Sequence, residues 1–93
     1  MDHKEEKIDA LFSIILQLDN LADCRALFDD LCTRKELEKM AERIYAAKLL
    51  LEGKTYNQVM SQADISSATL SRVSRCVQYG TGYRQVLSGD DKK

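Results

Sequence analysis

The sequence predicts an all-α fold organised around a helix-turn-helix, and three observations carry that prediction. Apolar residues recur at spacings of three and four through most of the 93 residues. Ser, Thr, Asn or Asp stands where the second to fifth helices would begin, and no Pro interrupts the pattern. With 44% hydrophobic residues the chain has room for one domain, residues 1–93. Its core would be small enough that a subunit interface is expected to supply part of the buried surface.

Residues 1–31 divide into two amphipathic helices. Ile8, Leu11, Phe12, Ile15 and Leu18 fall on one stripe of the first, and Leu21, Cys24, Leu27, Phe28 and Leu31 on one stripe of the second. Asp19 and Asn20 offer N-cap oxygens between them. Residues 33–53 form the longest predicted helix, the scaffold. It opens with the capping-box pattern of Thr33 and Glu36, and Leu37, Met40, Ala41, Ile44, Ala47, Lys48 and Leu51 lie along it. Gly53 is placed for the left-handed residue that follows a helix end.

Residues 55–79 hold two shorter helices. Thr55 and Gln58 repeat the capping box, and Val59, Met60 and Ala63 are expected to face inward. Asp64 then interrupts the helix, and Ile65 is an apolar plug after the turn. Ser66 and Ser67 can cap a helix over 68–79 that buries Leu70, Val73 and Val77 and ends at Gly80 and Gly82. A short turn or helix over 83–87 precedes a polar tail, 88–93, expected to fray.

The formal charge of -1 conceals an uneven distribution. Residues 1–30 carry three Lys/Arg against eight Asp/Glu, whereas 31–79 carry eight against five. The positive charge therefore accompanies the helix-turn-helix. Cys24, Cys32 and Cys76 are odd in number and include no Cys-x-x-Cys pair, so they read as reduced thiols rather than a disulfide framework or zinc site. No apolar run is long enough to span a membrane, and the charged start is unlike a signal peptide, which leads us to expect a cytoplasmic chain. His3 is the single histidine, with no second member of a triad or metal site nearby, so no enzyme activity and no metal is expected.

Two short helices around a tight turn can place one helix in a major groove about 12 Å wide while the other braces it. On the second helix Ser67, Ala68, Thr69 and Ser71 are small enough to meet base edges and thymine methyls. Arg72 and Arg75, with Lys54 before the first helix, suit phosphates. Tyr56, Asn57 and Gln58 at the start of the bracing helix can also reach the backbone of a duplex. The residues thus point to a regulator of transcription that binds double-stranded DNA. The alternative from residues alone is an adaptor that keeps the helix-turn-helix shape and contacts another protein. Of the tyrosines, Tyr45, Tyr79 and Tyr83 are assigned to packing and interfaces, and Cys76 is read as a buried small hydrophobe.

Residues 31–77, about half the chain, resemble the core of the Trp repressor superfamily, and the length and N-terminal arrangement are most similar to its YerC/YecD-like subgroup. The resemblance lies in Leu31-Cys32-Thr33 opening the long helix, Arg43 within it, Leu50-Leu51-Glu52-Gly53 at its end, and Ala68-Thr69-Leu70-Ser71-Arg72 in the reading helix. It implies an intertwined helical homodimer whose first helices pair across subunits and whose two reading heads enter successive major grooves of a near-palindromic operator. It also supports Asn57 and Gln58 as backbone contacts.

A ligand pocket at Thr33, Arg43, Arg72 and Val73 is implied by the same resemblance, with the arginines as clamps for a tryptophan corepressor. Two departures argue against that ligand. Val73 stands where the Trp repressor has Gly, and one residue is missing from the turn. The expectation drawn from the residues is that Arg72 contacts phosphate and that Arg43 pairs with an acid of the scaffold helix such as Glu36. No cofactor is expected on these grounds.

Overall fold

The computed structural model describes residues 3–88, which form six helices and no strand among the described residues. Contacts divide the chain into two compact units, Met1–Arg34 and Lys35–Lys93. The expected tail lies outside the described residues except for Ser88, which ends the last helix.

In the first unit, α1 spans Lys4–Leu16 and α2 spans Leu21–Leu31. Helix α1 stops two residues before the end of its apolar stripe. The N–H groups of Gln17 and Leu18 turn back to the carbonyls of Ile14 and Ile15, each at 3.1 Å, which tightens the last turn and ends the ladder. Of the two candidate caps, Asn20 is the one used. Its backbone is extended, and its side-chain oxygen accepts from Asp23 N–H at 2.8 Å. Asp19 instead accepts from the Asn20 amide at 3.0 Å, holding the cap in place.

No residue of α1 or α2 is buried. Leu11, Ile15, Leu18, Cys24, Leu27 and Phe28 reach intermediate exposure. Ile8, Phe12, Ile14, Leu16, Leu21 and Leu31 remain exposed, Leu16 at 85%. Both stripes are present as read, but only part of each is covered within the unit.

The second unit is built on α3, Arg34–Leu51, which begins directly after Thr33 as the capping-box pattern predicts. Its end is a Schellman motif: Gly53 N–H bonds to the Leu50 carbonyl at 3.0 Å and Lys54 N–H to the Leu49 carbonyl at 3.1 Å. Gly53 has φ of +94°, where a side chain would be strained.

Helix α4, Tyr56–Gln62, carries the complete capping box. Thr55 Oγ1 accepts from Gln58 N–H at 3.2 Å, and Gln58 Oε1 accepts from Thr55 N–H at 2.8 Å. Helix α5, Ser67–Tyr79, begins one residue earlier than expected because Ser66 alone caps it, accepting from Thr69 N–H at 3.2 Å. Gly80 ends α5, and a Cβ there would come within 2.8 Å of the Cys76 carbonyl oxygen, so this close approach requires Gly. Gly82 does not end α5 but opens α6, Gly82–Leu87, where Arg84 Nε donates to the Val77 carbonyl at 2.8 Å. Among the described residues no helix is long and apolar enough to cross a membrane.

The core lies along the second half of α3. Ala46 and Leu49 cluster with Val59, Ala63 and Leu70, while Ala47 clusters with Val73 and Val77, and Ile65 and Leu50 pack against both groups. This set departs from the predicted stripe in two ways. Ala46 and Leu49 replace Ala41 and Ile44, the latter 51% exposed, because α4 and α5 meet α3 beside its C-terminal half. Met60 is also exposed at 39%, since a seven-residue helix turns only one narrow side, that of Val59 and Ala63, to the core. A helix that short is not stable alone, so packing rather than its cap holds it.

Leu70 has zero exposure at the junction of both short helices and the scaffold. Leu70→Ala is expected to lose about 2–5 kcal/mol of unfolding free energy in urea titration, against about 0.5–2 kcal/mol for Thr55→Ala.

Candidate nucleic-acid interface

The four residues 63–66 turn the chain between α4 and α5. Ala63 N–H makes the last bond of α4, to the Val59 carbonyl at 2.8 Å, and Ala63 and Ser66 both have extended backbone. Ile65 plugs the inside of the turn against both clusters, as its apolar character predicts. Ser66 Oγ also donates to Thr69 Oγ1 at 3.0 Å, which fixes two hydroxyls at the start of α5.

Helix α5 buries Leu70, Val73, Ser74 and Val77. With 3.6 residues per turn, that side locks the helix to α3 and leaves Ala68, Ser71, Arg72 and Arg75 on the opposite side. All four are exposed, as is Ser67 at the first position; Thr69 is half-buried at the edge. The side chains of Arg72 and Arg75 make no hydrogen bond or ion pair among the described residues, so both cations are available to an outside anion.

Lys54, Tyr56, Asn57 and Gln58 are likewise exposed around the start of α4. Gln58 has its oxygen committed to the capping box and keeps its amide N–H groups as donors. Residues 54–79 carry Lys54, Arg72 and Arg75 against the single acid Asp64. This segment can therefore present hydroxyls, amides and guanidiniums from two braced helices, a donor set suited to phosphate oxygens and base edges.

A cleft of about 400 Å³ opens beside α5, lined by Arg43, Thr69, Arg72, Val73, Cys76 and Tyr83. The structure thus brings together Arg43, Arg72 and Val73. Thr33 belongs to the other compact unit. Val73 is 1% exposed and its side chain is packed with Ala47 and Val77, so this wall of the cleft is filled by a branched residue. Arg43 does not pair with an acid of the scaffold helix; its side chain makes no hydrogen bond or ion pair among the described residues.

Three residues add to or qualify the sequence reading. Glu42 on α3 accepts from the backbone N–H of Asp64 at 2.9 Å, across 22 positions. Its spacing to Ala46 and Leu49, four and seven residues on, was a usable signal, since it puts the carboxylate on the face that meets α4 and α5. Tyr79, assigned to packing and interfaces, is 81% exposed within the single chain, one turn beyond Arg75 on the outward side of α5. Cys76 is half-buried at the cleft rather than fully enclosed.

The family model for the Trp repressor protein matches residues 6–90. The chain is 44% identical over 83 residues to the uncharacterized protein YerC of Bacillus subtilis, covering 88% of this chain and 80% of that one. Among solved structures, a candidate Trp repressor from Staphylococcus aureus superposes with a TM-score of 0.86 at 34% identity, covering 100% of this chain and 97% of the other. A TrpR-like protein from Eubacterium eligens gives the same TM-score and identity over 97% of this chain and 94% of its own. With a family match over nearly its whole length and helices that superpose on these structures, the chain belongs to the Trp repressor family.

Proposed function

We propose that this chain is a cytoplasmic transcriptional regulator, and not an enzyme, that reads a near-palindromic DNA operator as a homodimer. The observation that carries the proposal is the two-sidedness of α5. One side is locked into the core by Leu70, Val73 and Val77, and the other presents small polar residues and unpaired guanidiniums to solvent. Ser67, Ala68, Thr69 and Ser71 read base edges. Arg72, Arg75 and Lys54, with Tyr56, Asn57 and Gln58 from α4, hold the phosphates that set the register.

Thr69→Ala is expected to reduce discrimination at one or two base pairs by about 1–3 kcal/mol, measured on the best duplex selected from a random pool. Arg75→Ala should weaken binding to every sequence and lower the slope of log K against log salt by about one. If neither variant alters its isotherm, α5 is not the reading surface. A salt-insensitive interaction would favour the protein-adaptor reading instead.

The uncovered apolar side chains of the first unit support the homodimer. Ile8, Phe12, Leu16, Leu21 and Leu31 are too many large exposed groups for two short helices to carry in water alone, and a second copy would cover them. Phe12→Asp is expected to shift sedimentation from dimer toward monomer; an unchanged profile would move the interface elsewhere.

Binding proceeds without a tryptophan corepressor in this reading. Val73 supports it, because the branched side chain fills the wall that the ligand ring would need. Titration with tryptophan should leave the DNA isotherm unchanged, and a tenfold gain in affinity would overturn this part of the proposal.

A further inference from the structure

The geometry points to Glu42 as the residue that sets the angle of the reading head, acting through one hydrogen bond to the turn; we draw this inference on the basis of the operator-binding role proposed above. The last backbone bond of α4 is made by Ala63 N–H, and the chain then leaves the helix, so Asp64 N–H has no carbonyl of its own helix to reach. Glu42 Oε1 supplies the missing acceptor at 2.9 Å. A carboxylate is a stronger partner for an N–H than a neutral oxygen would be.

The place of this bond gives it leverage. Helix α4 is only seven residues long and is held to the scaffold at its start by the Schellman turn and the Thr55 cap, and along its side by Val59 and Ala63. The Glu42 bond adds a directional tie at its far end, two residues before the Ser66 cap of α5. Apolar packing of Leu70 and Val73 resists separation of α5 from α3 but is non-directional, so it tolerates small rotations. A hydrogen bond at the pivot does not, because its strength falls steeply with angle.

Glu42 is half-buried, one turn before Ala46 in the same packed seam, so its side chain is backed by the scaffold. It is thus a positioning residue, acting through the backbone of the turn. Lys39 and Arg43 flank it in the groove between α3 and the turn and make no hydrogen bond or ion pair among the described residues, which leaves the carboxylate committed to the backbone.

The test compares Glu42→Ala with Glu42→Gln, which keeps an acceptor oxygen at the same reach. Loss of the tie should raise the amide exchange rate of Asp64 about three- to tenfold while that of Leu70 stays unchanged. It should also lower the ratio of affinities for the selected duplex and a random duplex by about tenfold, at an unchanged salt slope. Glu42→Gln should restore most of both. A variant that merely unfolds would accelerate exchange at Leu70 and lower both affinities together, and that result would overturn the inference. So would an unchanged affinity ratio with faster Asp64 exchange, or an unchanged exchange rate. Failure of the operator reading is distinguishable, since then the unmodified protein would prefer no duplex while Asp64 exchange still responded to Glu42→Ala.

Discussion

Packing of the scaffold helix against the two short helices is the constraint on which the rest of the second unit depends. Ala46 and Ala47 are adjacent and both fully buried, one in each core cluster, so α3 turns two neighbouring lines of its surface to the rest of the unit. Larger residues there would have no free space to occupy and would displace the elements packed against them. Val59, Leu70 and Val73 fill the space that the alanines leave, and burying each contributes on the order of 1.5–3 kcal/mol. That exceeds what the caps of α4 and α5 provide, so packing sets stability and capping sets where each helix starts.

The same division of labour produces the candidate interface. A helix fixed on one side by packing has its opposite side determined by its period, and α5 has small polar residues and two arginines there. The net charge of -1 does not describe this surface, because the acids concentrate in residues 1–30. Steering toward a polyanion depends on the local field of the helix-turn-helix rather than the sum over the chain.

The first unit follows a different logic. Its two helices have sound local signals, including the Asn20 cap, yet leave every residue at least partly accessible. Such helices are specified locally and stabilised by what covers them, which accords with the proposed dimer.

Much of the architecture was legible in the chain. Helix starts at Asn20, Thr55 and Ser66 follow from side chains that satisfy the first free N–H groups, and the end of α3 at Gly53 follows from the left-handed residue it requires. The candidate interface residues were legible too, since three- and four-residue spacing separates them from Leu70, Val73 and Val77. Cap chemistry and periodicity are local, so the sequence by itself determined the helices, their order and the two sides of α5. Which of several apolar lines on α3 became the core, the exposure of Met60, Ile44 and Tyr79, and the bond from Glu42 to Asp64 were decided only by the tertiary structure. Those outcomes depend on where distant segments meet: the spacing of Glu42 puts it on the packed face of α3, but nothing in the sequence names Asp64, 22 positions on, as its partner.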